Sequence, residues 1–542
     1  MNIQSLLEHH GILRNPFAEE DAQTDQVFKE HCISSAYHPI WDKVYGDPKE
    51  PSTSIVFGPK GSGKTAMRLQ VDRHLQRYNQ ENPNERVFVI RYDDFNPFLD
   101  HFCERMGKRV AKKAEKVLDS WRLWDHMDAI LCLGVTDLVN RILDPEDTSV
   151  DRQAVKKLDR TSARDLLLLA TSYDQSTANS FSSRWGSLRR TVRYRNWNAN
   201  WACWLALLCF LGSSALVGWM FWRAGGLGSP QSVAAVVQTV DGEVAPSVEA
   251  DVDAAAEPEG TAVSDGEEDA SSPAGSVAQP SLNVLWLIPA ITLLGSIPMF
   301  IKTIKCQAAA LGIRKHMRVG KREASSLRKT LQKFPSKELA SQPLPRFDRT
   351  DDRYELLNKF QSILKRLGFT GVIVLMDRVD EPHMTGGKPA LMQRFVWPLL
   401  DNKLLKHPGL GFKIMLPQEL HRDMERETRE FHERARLDKQ NVIPAFQWTG
   451  EALYDLARAR MMACAAEGKS PEPKDLFSEE ISYERMLSAF QSLRVPRHLF
   501  RFLYRVLVDH CNRHTDAQPV FQIKGETFES MLAVYSRESE LS

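Results

Sequence analysis

Between Ala224 and Asn283 this chain has no Lys, no Arg and no aromatic residue. What remains there is Ala, Val, Ser, Pro, Gly and acid, a composition that buries too little apolar surface to offset the entropy of ordering. The segment is expected to be disordered and solvated; an external ligand sensor is the alternative reading. Charge is absent altogether from Ala199 to Trp222 and from Val284 to Ile301. Cysteine is sparse: the 8 cysteines in 542 residues form no C-x-x-C pair and none lies in the acidic stretch, so neither a disulfide framework nor a zinc site is indicated. Cys306 is open to palmitoylation or, more simply, to packing. The start, Met1 to Ser5, lacks a basic segment followed by an apolar one, so no cleaved signal peptide is expected. A net charge of +1 gives no argument for nucleic acid as a partner. No Asn-Lys-x-Asp guanine reader stands near the expected strand ends.

What is present begins with Gly58-Pro59-Lys60-Gly61-Ser62-Gly63-Lys64-Thr65, which fits G-x-x-x-x-G-K-[ST]. The apolar strand Ser54 to Phe57 precedes it and a helical pattern follows from Ala66. That strand–loop–helix context marks a P-loop rather than a plain glycine-rich turn. Glycines let backbone N–H groups turn inward around phosphate oxygens, and the helix N-terminus adds positive potential. Lys64 is then expected to reach the β- and γ-phosphates of a nucleoside triphosphate, and the Thr65 hydroxyl to bind magnesium.

The second half of that chemistry is expected in the strand Gly371 to Met376, which ends at Asp377. A carboxylate at the C-terminal edge of an open α/β sheet lies where ligands bind, and Asp377 is assigned to magnesium. Asp380 and Glu381 follow one short turn later, and one of them is expected to orient the attacking water. Glu381 is slightly favoured, although the residues do not choose between them and both can equally serve as loop solvation. The strand Gly411 to Leu416 ends at Pro417-Gln418, where Gln418 stands as a γ-phosphate-sensing residue or a plain loop glutamine. Arg497 opens the amphipathic helix His498 to Val508, from which a lid arginine would approach the nucleotide. Arg494, Arg501 and Arg505 compete for that role.

Between the two halves, both uncharged stretches read as membrane spans, the first with Trp201, Trp204, Trp219 and Trp222 at its ends and the second with Pro289 and Pro298 inside it. Basic residues flank them: Arg184, Arg189, Arg190, Arg193 and Arg195 before, Lys302, Lys305, Arg314, Lys315, Arg318, Lys321 and Arg322 after. The positive-inside rule then puts both flanks in the cytoplasm, the acidic loop outside and the nucleotide motifs in one compartment. The expectation is a two-span multi-pass membrane protein with a lipid bilayer as partner. Leu166 to Leu169 is too short to span and reads as a buried helix. Leu311 to Phe334 reads as a basic amphipathic helix, on a membrane surface or solvated.

The arrangement resembles the AAA+/STAND group of P-loop ATPases, in particular the KAP type, in which spans interrupt the ATPase domain between its nucleotide motifs. Leu375-Met376-Asp377-Arg378-Val379-Asp380-Glu381 is similar to the h-h-D-G-h-D-E form of NACHT-like members, with Arg378 in place of the small residue. Val495-Pro496-Arg497 and the residues to Leu503 look like the Pro-Arg segment that carries sensor 2. Asn15-Pro16-Phe17 is similar to an Asn-Pro-Phe near the adenine pocket of related bacterial ATPases. The resemblance covers about residues 12–97 and 350–512, and it implies ATP rather than GTP.

The implied fold is an α/β three-layer sandwich with a mainly parallel sheet and a helical lid. Its parts are expected as 1–97 (first ATPase part), 98–198 (helical insert), 199–222 and 284–301 (spans) around 223–283 (acidic loop), 302–349 (basic helix and linker), 350–448 (second ATPase part) and 449–542 (lid). Three functions are open: a membrane-anchored ATPase switch with Mg2+, possible homo-oligomers and a protein partner; a motor or chaperone for secretion or envelope assembly; and a scaffold that binds nucleotide without hydrolysing it.

Overall fold

Five apolar runs form strands: β1 (Ser54–Gly58), β2 (Arg86–Tyr92), β3 (Phe369–Met376), β4 (Leu410–Pro417) and β5 (Asn441–Ile443). The computed structural model describes residues 1–33, 36–107, 113–175, 178–195, 201–223 and 282–541. All strand pairs are parallel, in the order β2-β3-β4-β1-β5. Central strands of a parallel sheet are covered on both faces, so they read as continuous apolar runs rather than alternating ones. The two faces are nevertheless distinct. Ile55, Phe57, Phe88, Ile90, Val372, Val374, Phe412 and Ile414 enter one core. Val56, Val87, Val89, Ile373, Leu375 and Met415 enter the other.

The helices include α1 (Lys64–Glu81), α2 (Leu123–Leu143), α3 (Arg160–Tyr173), α4 (Trp201–Arg223), α5 (Leu282–His316), α6 (Thr350–Arg366), α7 (Gln418–Glu425), α8 (Gly450–Ala463), α9 (Tyr483–Leu493) and α10 (Pro496–Arg513). The first core takes its helical side chains from α2, α3 and α6, including all of Leu166 to Leu169. The second takes Met67, Val71 and Leu75 from α1 together with α8, α9 and α10. The result is α/β, an all-parallel sheet with helices on both faces. Arg494 has φ 63° and separates α9 from α10 within a run whose pattern is helical throughout.

The first core also holds a buried polar network. Arg353 and Asp128 are both fully buried and pair at 3.0 Å, and the Tyr173 hydroxyl donates to the same carboxylate at 2.8 Å. Two residues before Asp128 on α2 stands His126, whose Nδ1 meets the Tyr92 hydroxyl at 2.9 Å and whose Nε2 meets the Phe395 carbonyl at 2.7 Å. Facing a carbonyl, Nε2 must carry the proton, so Nδ1 accepts. Burial lowers the His126 pKa to about 4, opposed by the Phe395 hydrogen bond, and keeps the ring neutral. Arg318 pairs with buried Asp125 at 2.5 Å.

By its contacts the chain divides into Met1–Arg195 with Cys306–Ser542, and Asn196–Lys305. Among the described residues no helix is long and apolar enough to cross a membrane. This corrects the two-span reading and the multi-pass localisation built on it. Several side chains of the first run, at 201–203, 205–206, 217 and 220–222, fall outside the described residues. The second does not end near Ile301; α5 continues through Lys302 and Lys305, and its end buries Cys306, Ala309, Ala310 and Ile313 in the first core. Many side chains of the second run, like the acidic segment 224–281 with its expected disorder, fall outside the described residues. The helix expected over Leu311 to Phe334 is two pieces, the end of α5 and Ala324–Leu331, with Leu327, Leu331 and Phe334 buried. Those apolar residues serve the protein core and not a lipid surface.

Candidate functional site

Because all five strands run in parallel, Gly58, Asp377 and Pro417 leave the same edge of the sheet. There they meet a cavity of about 410 Å3, within the range of small-ligand pockets. It is lined by Lys60, Gly61, Gly63, Lys64 and Thr65 from the glycine loop, Asp377, Arg378, Asp380 and Glu381 after β3, Glu419 on α7 and Arg497 on α10. Residues far apart in sequence thus come together in one place.

The loop needs its glycines. Gly61 has φ 85° and Gly63 φ 95°, a region closed to most side chains. A Cβ on Gly61 would sit 2.8 Å from the Cβ of Arg497, and one on Gly58 would sit 2.7 Å from both Phe446 and the Ser62 hydroxyl. The Lys64 ammonium donates to the carbonyls of Gly58 at 2.7 Å and Pro59 at 2.9 Å. Burial lowers its pKa, while Asp377, Asp380 and Glu419 oppose that shift. Trp448 Nε1 donates to the Ser62 carbonyl at 2.8 Å and pins the loop from the side of α8. Beside it, His38 stacks on Phe446 with centroids 4.2 Å apart.

Burial raises the pKa of Asp377, and the nearby Arg68, Thr65, Arg378 backbone and Lys64 pull the other way. One carboxylate oxygen, Oδ2, is buried without a hydrogen-bond partner. The Ser62 hydroxyl, Arg68 Nε and Arg497 Nε are in the same position. Orphaned buried polar atoms are uncommon in folded proteins, and each calls for an explanation.

Arg378 has φ 64°, so the arginine takes the left-handed turn where the similar sequence form carries glycine. Its guanidinium pairs with Glu381 at 2.6 Å, and Glu381 is largely exposed. Asp380 is half-buried and makes no ion pair among the described residues. Of the four candidate arginines, Arg497 lines the cavity and Arg494, Arg501 and Arg505 do not. Its backbone N–H donates to the Gly61 carbonyl at 3.3 Å, and its Nε lies 3.9 Å from Glu20. Arg501 holds the same glutamate at 2.5 Å.

Gln418 is not brought into the cavity. Its amide donates to the Pro444 carbonyl at 2.8 Å, while its neighbours Pro417 and Glu419 line the space. Pro59 contributes its carbonyl, and Ser62 its backbone, behind the lining. Phe17 is buried, and none of Asn15, Pro16 and Phe17 lines the cavity. The segment acts one step removed: Arg460, which does line it, donates to the Pro16 carbonyl at 2.7 Å and pairs with buried Asp25 at 2.5 Å. Glu20, His38, Glu419, Phe446 and Trp448 were not marked by any sequence pattern.

No family model, no curated protein and no solved structure matches this chain.

The donor set fits magnesium. A hydroxyl and a carboxylate are hard ligands, and Mg2+ typically takes one or two carboxylates together with phosphate oxygens and water. Among the described residues no group of three or more His, Cys, Asp or Glu could hold a metal unaided. An ion here would therefore share its ligands with a bound phosphate.

Proposed function

We propose that this chain binds a magnesium–nucleoside triphosphate, with ATP the expected nucleotide, at a P-loop formed by Gly58 to Thr65, and hydrolyses it to drive a conformational switch. One observation carries the reading: Thr65 and Asp377, remote in sequence, line the same nucleotide-sized cavity beside Lys64. Seven carboxylates line that cavity (Glu20, Asp21, Asp25, Asp377, Asp380, Glu381 and Glu419) against five Lys and Arg side chains. A bare triphosphate would be repelled there, whereas its magnesium complex is much less so.

Within this reading Lys64 exchanges its carbonyl partners for β/γ-phosphate oxygens, and the backbone N–H groups of the loop surround them. Thr65 and Asp377 hold magnesium, which when bound neutralises charge on those oxygens. Asp380 is the better candidate to orient water and take its proton, because Glu381 is committed to Arg378. Arg497 approaches from α10, so loss of the γ-phosphate changes what the lid contacts, and a ligand bridging two elements biases their arrangement. The pairing of Glu381 also favours a second reading, a scaffold that holds nucleotide without turnover.

Binding of a fluorescent ATP analogue and phosphate release test both. Lys64→Ala should weaken binding about 10–100-fold, the worth of a charge-assisted hydrogen-bonding group. Asp380→Asn should cut turnover at least about 100-fold with binding retained, and Glu381→Gln much less. Binding that ignores Lys64 sinks the nucleotide reading; binding without turnover in the wild type selects the scaffold.

A further inference from the structure

Arg68 lies on α1 one turn beyond Lys64, behind the cavity and not in its lining. Its side chain is 4% exposed, its Nη1 pairs with Asp93 at 2.9 Å, and its Nε stands 3.5 Å from Asp377 Oδ2. Neither that Nε nor that Oδ2 has a hydrogen-bond partner. The guanidinium is thus bonded to Asp93, at the C-terminal end of β2, and leans on Asp377 without bonding it.

This placement needs a reason, because arginine in the first turns of a helix opposes the helix dipole and is rarely so buried. Asp377 itself supplies one. A buried carboxylate lining a cavity with six other acidic side chains would collect bare divalent cations. A fixed positive charge behind it lowers that affinity without a hydrogen bond that would tie up the oxygen. Phosphate oxygens then provide what Asp377 and Thr65 lack.

We infer that Arg68, held by Asp93, is a positioning residue that makes the Asp377 site select the metal–nucleotide complex over the free divalent ion. The inference rests on the nucleotide reading above and adds a regulation of that site. Asp93 is the anchor: its pull keeps the guanidinium from closing onto Asp377. Without Asp93, Arg68 would collapse onto Oδ2 and block it.

The two partners therefore predict opposite effects. Titration of the full chain with Mn2+ alone, followed by electron paramagnetic resonance, should show binding about tenfold tighter in Arg68→Met than in the wild type. Arg68→Lys keeps the charge and should behave as the wild type. Asp93→Asn should bind Mn2+ more weakly and should lose most of the Mg2+ dependence of nucleotide binding. Unchanged or weaker Mn2+ binding in Arg68→Met overturns the inference, as does equal loss in Arg68→Met and Asp93→Asn, which would mark a merely structural pair. If Arg68→Met fails to fold, tighter or unchanged Mn2+ binding in Asp93→Asn still overturns it. Wild-type nucleotide binding, measured separately with Mg2+, decides the nucleotide reading; the ratio of Mn2+ affinities decides this one.

Discussion

Two clusters of buried charge, one in the core over one face of the sheet and one at the sheet's C-terminal edge, differ in how completely they are partnered. In the network on α2, Asp128 is bonded by Arg353 and Tyr173, Arg353 also reaches the carbonyls of Phe347, Arg349 and His316, and both nitrogens of His126 are used. At the cavity, Ser62, Arg68, Asp377 and Arg497 each keep a buried atom without a hydrogen bond. Buried polar groups that satisfy each other fix a structure, while groups left unsatisfied together mark a place built for something else. Depth of burial and strength of charge do not separate these two cases. Completeness of bonding does.

The largest effect that would break this contrast comes from the satisfied cluster. Arg353→Met leaves Asp128 buried and uncompensated and should cost about 3–5 kcal/mol in denaturant unfolding. Adding Asp128→Asn should recover part of that loss. Nucleotide binding by the folded fraction should be unchanged, and a loss of binding larger than the loss of stability would show that the two clusters are not separate.

Next comes a third buried charge. Lys413, on β4, is fully buried; its ammonium lies 3.4 Å from the Ser54 hydroxyl and makes no ion pair among the described residues. Burial lowers its pKa from 10.5 to about 8. The penalty of holding this charge is therefore complete below pH 8 and is relieved as pH rises from 8 to 10.5. Lys413→Met should stabilise the protein by roughly 3 kcal/mol at pH 7, the worth of such a shift, and the gain should fade by pH 10.5. A pH-independent gain would mean that packing, not charge, is responsible. Lys64 differs in having Asp377, Asp380 and Glu419 opposing its own lowered pKa.

The smallest effect sharpens the comparison at the loop itself. Trp448→Phe removes one neutral hydrogen bond to the Ser62 carbonyl, worth about 1 kcal/mol. It should weaken analogue binding about fivefold while leaving the α2 network and its contribution to unfolding intact. An unchanged affinity would show that the loop holds its shape without that tether.

How far these features were legible follows from their range along the chain. Gly58 to Thr65 and the strand into Asp377 are contiguous patterns, in which neighbours dictate conformation, and the structure brings both to one cavity. Gln418 missed by one residue, because the turn after β4 aims Glu419 rather than Gln418 inward. Glu20, His38, Phe446 and Trp448 carry no local signal; they reach the cavity only through the packing of α8 and α10 on the sheet. Arg68 was invisible for the same reason, since its meaning lies in Asp93 and Asp377, just past the ends of β2 and β3. β5, with three residues, was too short to register. The uncharged runs failed differently: a window without charge was taken for a lipid-facing one, whereas α5 ends among the buried side chains of the first core.

The strand order carries a consequence for synthesis. β1 and β2 are made early yet are not neighbours: β2 pairs with β3, and β1 lies between β4 and β5. Every native partner of these two strands lies beyond residue 368. A ribosome must deliver more than two thirds of the protein before a single rung of the sheet can form. Until then two apolar ribbons with open edges, prone to pairing with any other chain, must be kept apart. Chaperone dependence during translation, and insolubility of a fragment that stops short of Phe369, are the expected outcomes of this topology.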